Sequence, residues 1–276
     1  MKFVSLSSGS KGNAALVCTE KTKLLVDCGI SARRAGDMLK SLGYELSDID
    51  ALLLTHEHSD HIKGAKRLMQ AYGIPVYATG GTLRALPAAA GDEYFNYAGK
   101  RLMEEVYADR HFTIGDIDIM PFRIYHDVAE PCAYRFEVYQ DDDRLRRHAE
   151  AAVLTDCGHF DDGIADRMRL LDVMLLEANH DRAMLANGRY PAVLKRRIMS
   201  SDGHLSNNAA GQLLSEIISP KLKAVILGHL SHENNTPEKA LNTVRAELSA
   251  SCGSEAAETL SMTVAPQDSL SNLIEI

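Results

Sequence analysis

Short apolar runs of four to six residues recur along the chain, separated by charged or glycine-containing stretches. The runs Ala14–Cys18, Lys23–Asp27, Ala51–Thr55, Ile117–Phe122, Ala133–Val138, Ala152–Thr155, Val173–Glu177 and Ala224–Leu227 have the length and apolar density of strands. Elsewhere the apolar residues fall at helical spacing. Ser31 to Leu42 stops at Gly43, Ile62 to Tyr72 stops at Gly73, and Ser206 to Ser219 carries Leu213, Leu214, Ile217 and Ile218. Thr236-Pro237 has the cap and first-turn proline that open a helix, here running to about Ala250. Strands come first and then alternate with helices, so the pattern predicts a layered α/β protein with helices outside sheets. Thr79 to Arg110 is the least legible stretch and is read as helical cover over the strand ends.

A chain of 276 residues, 45% hydrophobic and 25% charged, is globular and long enough for a large core. No repeat, low-complexity tract or proline/serine-rich linker divides it, and one compact domain over 1–276 is expected. It has no run of eighteen apolar residues and no apolar stretch of signal-peptide length after Met1, so the expectation is a cytoplasmic protein without a membrane segment. Five cysteines, an odd number without a C-x-x-C pair, argue for reduced thiols and against both a disulfide framework and a zinc ribbon. The net charge of −8 gives no global attraction to nucleic acid, so a polyanion would have to be held by a local basic patch or by metal ions. No obligate protein partner can be read.

The chemistry concentrates where the run Ala51-Leu52-Leu53-Leu54-Thr55 ends, in His56-Glu57-His58-Ser59-Asp60-His61. Residues two apart in an extended segment point to the same side, so His56 and His58 can converge on one ion. Asp60 and His61 come where the chain turns into a helix and can face a second ion. Imidazole and carboxylate together suit zinc first, with manganese and iron compatible. The spacing is not that of an H-E-x-x-H helix, whose histidines stand four apart. Four residues cannot close two metal sites. Other strand ends supply candidates: His126-Asp127 after Ile119–Ile124, Asp156-Cys157 after Leu154-Thr155, and His229 after Leu227-Gly228.

The order H-x-H-x-D-H, His126, Asp156, His229 resembles the ligand pattern of the metallo-β-lactamase superfamily, over nearly the whole chain. Leu24-Leu25-Val26-Asp27-Cys28-Gly29 looks like that superfamily's early strand ending in an aspartate that braces the metal loop. More narrowly, four segments resemble the bacterial YycJ/WalJ-type metallohydrolases: Ser7 to Asn13, Glu177-Ala178-Asn179-His180-Asp181, Gly203-His204-Leu205-Ser206-Asn207 and His229 to Asn235. The resemblance implies a four-layer αββα sandwich and a 5′-to-3′ DNA exonuclease activity. It implies that His56, His58 and His126 bind one divalent metal, that Asp60, His61 and His229 bind another, and that Asp156 bridges them. Glu177 and His204 resemble the pair of the phosphodiesterase branches, in which the glutamate orients a histidine facing the scissile phosphate.

On that reading a hydroxide shared by the two ions is the nucleophile, and Asp60 accepts or orients its proton. His204, paired with Glu177, stabilises the phosphorane and protonates the leaving oxygen. Asp127 would support its metal-binding neighbour, and Cys157 would pack. Lys195-Arg196-Arg197, on the approach to His204, is the densest useful basic cluster for a nucleic-acid backbone, and Lys11 in its glycine-flanked loop could hold a phosphate. Asn207, Asn208, Asn234 and Asn235 are expected to cap helices or to fix ligand loops. The alternative is a small-molecule hydrolase, acting on a thioester, lactone or β-lactam, on the same metals. Flavodiiron-type redox chemistry is disfavoured because those proteins place an acid where His58 stands, and a metal-free scaffold is disfavoured because every ligand is present. Asp156 and His229 are only 73 positions apart, which leaves no room for the long insertion of large RNA-processing relatives, and no flexible arm like that of the tRNA-processing relatives is evident.

Overall fold

The computed structural model describes residues 1–90, 102–139 and 147–276. One sheet, seven-stranded among these residues, contains β1 (Lys2–Ser7), β2 (Ala14–Cys18), β3 (Lys23–Val26), β4 (Ala51–Leu53), β5 (Val76–Thr79), β6 (Met103–Val106) and β14 (Ile274–Glu275), in the order β14-β1-β2-β3-β4-β5-β6. The second contains β7 (Phe112–Ile114), β8 (Ile117–Arg123), β9 (Cys132–Tyr139), β10 (Arg147–Leu154), β11 (Val173–Glu177), β12 (Ala224–Gly228) and β13 (Ser261–Val264), in the order β13-β12-β11-β10-β9-β8-β7. Each sheet begins antiparallel and becomes parallel, from β3 onward in the first and from β10 onward in the second. Parallel neighbours need crossovers, and helices supply them.

In the first half these are α1 (Ala32–Ser41), α2 (Ser59–Ile62), α3 (Ala65–Tyr72) and α4 (Gly80–Ala90). In the second half they are α5 (Asp162–Met168), α6 (Arg182–Asn187), α7 (Ala192–Ile198), α8 (Asn207–Ile217), α9 (Pro237–Cys252) and α10 (Ser254–Thr259). The expected cap is made, Thr236 Oγ1 accepting from Lys239 N, and Ser31 Oγ and Ser206 Oγ cap their helices in the same way, accepting from Arg34 N and Ala209 N.

Three layers of buried side chains hold the four layers of the αββα sandwich together. Leu24, Val26 and Leu53 meet Tyr134, Phe136 and Val153 between the sheets. Leu25 and Leu52, one residue over, pack instead with Leu39, Leu68 and Leu86 under the first set of helices. Leu154 and Leu176 pack with Leu213 and Val244 under the second set. Both faces of these strands are dry, which is why the sequence shows continuous apolar runs rather than alternation. Each fully buried leucine contributes about 1.5–3 kcal/mol.

The helix expected from Ile62 to Tyr72 is instead two pieces, broken at Lys63-Gly64. Gly64 presses on the segment after β3, donating its N–H to Cys28 O at 2.7 Å, and a Cβ there would collide with Ile30 O and Cys28 Sγ. Of the stretch from Thr79 to Arg110, read as helical cover, α4 is helical and packs Leu86 into the outer core layer, but Met103–Val106 is strand β6, paired parallel to β5, and residues 91–101 lie outside the described residues. Among the described residues no helix is long and apolar enough to cross a membrane. All five cysteines are free thiols, four of them buried.

Candidate metal centre

The parallel strands end at one rim of the sandwich, and there the polar residues converge. Asp27 closes β3 with φ 57°, a left-handed backbone that aspartate and asparagine tolerate better than most. Its buried carboxylate accepts three hydrogen bonds at 2.8 Å, from Thr55 N, Thr55 Oγ1 and His61 Nδ1. Because the Thr55 hydroxyl proton is used on Asp27, His56 Nδ1, 3.0 Å from Thr55 Oγ1, is the donor there. Both rings thereby carry a proton on Nδ1, which leaves Nε2 as the atom for a cation.

Three further strand ends complete the cluster. After β8, His126 Nδ1 donates to Gly203 O at 3.1 Å, which leaves its Nε2 lone pair 3.3 Å from His58 Nδ1. After β10, Asp156, at φ 56°, sets Oδ2 3.0 Å from both His61 Nε2 and His229 Nδ1. After β12, His229, at φ 54°, is pinned by its N–H on Ser8 Oγ at 2.7 Å and by Asn179 Nδ2 donating to its carbonyl at 2.9 Å. Asp60 stands at the rim, its side chain 24% exposed and Oδ2 3.7 Å from His61 Nε2. All seven residues expected around two metals therefore meet at one place.

The donor set fits divalent cations. Ligand atoms of His56, His58 and His126 lie within 4.8 Å of one another, as do those of His56, His61 and Asp156. A third group joins Asp156, Glu177, His204 and His229. His56 Nε2, Asp156 Oδ2 and His229 Nδ1 are buried yet lack an aligned hydrogen-bond partner, an expensive arrangement that a cation between them would satisfy. Imidazole with carboxylate oxygen is the chemistry of zinc, manganese or iron sites.

The electrostatics divide the histidines. Burial, helped by neighbouring imidazoles, pushes His56 well below the ordinary histidine range, and burial beside His126 pushes His58 down. Burial also acts against charge on His61 and His229, but Asp156 outweighs it at both, with Asp27 adding its pull on His61. His61 is therefore held well above its usual value and His229 is raised to about 9. Asp156 is held well below the carboxylate range, His229 and His61 prevailing over burial. A cation entering there competes with protons, so binding must release them.

Glu177, the last residue of β11, is wholly buried and accepts from Cys157 N at 2.7 Å, Leu205 N at 3.3 Å and His204 Nδ1 at 2.8 Å. His204 is thus fixed with Nδ1 3.6 Å from Asp156 Oδ1, and its ring lines a cavity of about 220 Å³ with His126, Asp127 and Arg197. Cys157 packs as expected, its thiol donating to His159 O at 2.9 Å and pushed up in pKa by burial.

The basic triplet is divided by the geometry of its helix. Arg197 faces the cavity and grips Asp127 with two hydrogen bonds, at 2.5 and 2.9 Å. Lys195 Nζ turns away to Ala186 O at 2.7 Å, and Arg196 points to solvent. Ser10, rather than Lys11, lines the cavity. None of the four asparagines is an N-cap: Asn207 and Asn235 exchange side-chain hydrogen bonds, and Asn235 Nδ2 also donates to Ala178 O and Asn179 O. Asn208 reaches Glu247 and Asn234 donates to Ser231 Oγ. The sequence reading gave no role at the site to Thr55, Ser8 or Asn13, whose Nδ2 lies 3.0 Å from His61 Nε2. The signals available were the Ser7 to Asn13 resemblance for Ser8 and Asn13 and adjacency to His56 for Thr55.

Residues 22–229 match the family model of the Beta-lactamase superfamily domain. The chain is 37% identical over 250 residues to Exodeoxyribonuclease WalJ of Streptococcus pneumoniae serotype 2 (strain D39 / NCTC 7466), covering 90% of this chain and 88% of that one. It is 34% identical over 256 residues to Exodeoxyribonuclease YycJ of Bacillus anthracis, covering 90% and 89%. The crystal structure of the metallo-beta-lactamase fold protein YhfI from Bacillus subtilis superposes with a TM-score of 0.66 at 18% identity, over 98% of each chain.

Proposed function

We propose a function from one premise: the chain belongs to the Beta-lactamase superfamily, and within it to the WalJ/YycJ-like metallohydrolases. The function is that of a metal-dependent phosphodiesterase acting on nucleic acid, and in its finer form an exodeoxyribonuclease. Two relatives named exodeoxyribonucleases, each matched over nine-tenths of this chain, support DNA as the substrate. The observation that carries the reading is the Glu177–His204 pair, whose 2.8 Å hydrogen bond holds an imidazole beside the ligand cluster, as the pair of the phosphodiesterase branches does.

His56, His58 and His126 would hold one ion and Asp60, His61 and His229 the other, with Asp156 within reach of both sets; zinc suits such donors first, and manganese or iron is compatible. Such ions, when bound, supply an acidified water and a polarised phosphoryl oxygen. Asp60, at the rim, is the group to take that water's proton. His204, with Nδ1 held by Glu177, has Nε2 for the departing oxygen: as the P–O bond breaks, the Nε2 proton passes to that oxygen. Arg197, exposed at the cavity mouth, faces a phosphate more readily than Lys195 or Arg196.

The test is the purified protein with zinc or manganese on 5′- and 3′-labelled single- and double-stranded DNA and RNA, beside bis-p-nitrophenyl phosphate and a thioester. DNA should shorten from its 5′ end, and His204→Ala should lose phosphodiester cleavage selectively. Thioester hydrolysis without nucleic-acid cleavage would overturn the reading in favour of a small-molecule hydrolase.

A further inference from the structure

His204 lines two cavities. The first also holds His126 and Asp127; the second, of about 480 Å³, is bounded by Gly158 to Phe160, His180 and Arg182, and His204 is the residue common to both. The segment 201–204 is well anchored: His204 N donates to Ile198 O at 3.0 Å, His126 Nδ1 to Gly203 O at 3.1 Å and His159 Nδ1 to Ser201 O at 2.7 Å. Gly158 lets the 157–160 loop press on it, since a Cβ there would strike the Ser201 carbonyl. The second cavity therefore keeps a fixed position relative to the imidazole that meets the scissile bond.

Its lining is unlike that of the first. His159 and Phe160 form one wall, and the His159 ring stacks on Tyr125 with centroids 4.0 Å apart, Tyr125 itself being anchored through its hydroxyl to Asp161 at 2.7 Å. Opposite stand Gln212, exposed on α8, and Arg182, whose Nε donates to Ser206 Oγ at 3.2 Å and whose remaining guanidinium N–H groups have no partner among the described residues. His180 also lines it; the residue is 3% exposed, and its Nδ1 is buried with no hydrogen-bond partner.

Resting on the phosphodiesterase reading above, we infer that this second cavity is a nucleoside subsite, taking the base and sugar on one side of the phosphate that His204 serves. A flat aromatic wall stacks a base without regard to its identity, the Gln212 amide meets its polar edge, and the remaining N–H groups of Arg182 donate to the next phosphate. The volume lies within the range of small-ligand sites, about 300–1,000 Å³.

The experiment compares three substrates on the metal-loaded full chain: a single-stranded oligonucleotide, the same strand with an abasic tetrahydrofuran residue next to the cleaved bond, and methyl p-nitrophenyl phosphate, which has no base. In the parent the abasic residue should lower kcat/KM by about tenfold, within the range of alanine substitutions at base-stacking positions. Phe160→Ala and, independently, Gln212→Ala should lose a similar factor on the intact strand and nothing on the other two. A parent that cleaves the abasic strand as well as the intact one, or variants that fall equally on all three, would overturn the subsite. If the parent cleaves neither strand the nuclease reading fails by itself, and calorimetry with dAMP against deoxyribose 5-phosphate decides the subsite. Tighter dAMP binding that Phe160→Ala abolishes supports it, and equal affinities refute it.

Discussion

Asp27→Asn separates bracing of the site from folding. The left-handed backbone at φ 57° suits asparagine, so no new strain arises. The amide oxygen can still accept from Thr55 N, as Asp27 Oδ1 does at 2.8 Å. The amide nitrogen then replaces Oδ2, which now accepts from both Thr55 Oγ1 and His61 Nδ1. Thr55 adapts by rotating its hydroxyl: the oxygen accepts from the new amide, and the proton turns to His61 Nδ1, already 3.3 Å away. That arrangement is complete only if His61 carries its proton on Nε2, the atom facing Asp156 at 3.0 Å. The folded protein should lose roughly 1–2 kcal/mol, the difference between a charge-assisted and a neutral hydrogen bond. The metal site that needs the His61 Nε2 lone pair should weaken by about 10–100-fold, the usual effect of removing an outer partner of a metal-binding histidine. Chelator-competition titrations with zinc should resolve two binding steps in the parent and one selectively weakened step in the variant, with urea melts reporting the fold. Equal weakening of both steps, or none, would refute the tautomer account.

Three further outcomes follow from the same geometry. His229, with its folded pKa raised from 6.5 to about 9 by Asp156, contributes stability that is full below pH 6.5 and lost as pH rises through 9. Chelator-treated protein should therefore lose about 3 kcal/mol of unfolding free energy across that window, at 1.36 kcal/mol per unit, while zinc-loaded protein should not; a flat profile after chelation would contradict the ion pair. Glu177→Gln should cut kcat on DNA by about 10²–10⁴, as for a misoriented general acid, with metal content by mass spectrometry unchanged; loss of metal would make Glu177 a ligand instead. Arg197→Ala breaks an exposed pair with Asp127, so melts should move by less than about 1 kcal/mol, while KM for DNA rises and its salt dependence becomes shallower by about one ion. Lys195→Ala should leave KM alone, because its Nζ is spent on the Ala186 carbonyl.

The sequence made the ligand cluster legible because four of its residues fall within the six positions 56–61 just past β4, and the other three stand one to three positions past the end of a strand. Strands buried on both faces were equally readable from their runs. Others were not: in β1 the serines at positions 5 and 7 interrupt the apolar pattern, although Ser7 Oγ is buried and bonded to Gly12 O and Gln267 O. Helices α5, α6 and α7 are only six or seven residues long, too short to display a period. The basic triplet misled for a geometric reason. Successive residues on a helix point about 100° apart, so Lys195, Arg196 and Arg197 reach a carbonyl, the solvent and Asp127 respectively. The Arg197–Asp127 pairing, across 70 residues, and the cavity around Phe160 and His180 exist only after folding.

Three strand exits, at Asp27, Asp156 and His229, bend the chain into the same mirror-handed corner, with φ between 54° and 57°. Glycine would turn each corner without penalty, and an L-residue there costs about 1–2 kcal/mol. At these corners reactivity and robustness are set against each other, so glycine at any of the three should relax the backbone while silencing the centre. A search for hardier variants of this protein therefore gains nothing usable there and belongs in the core layers and the outer helices.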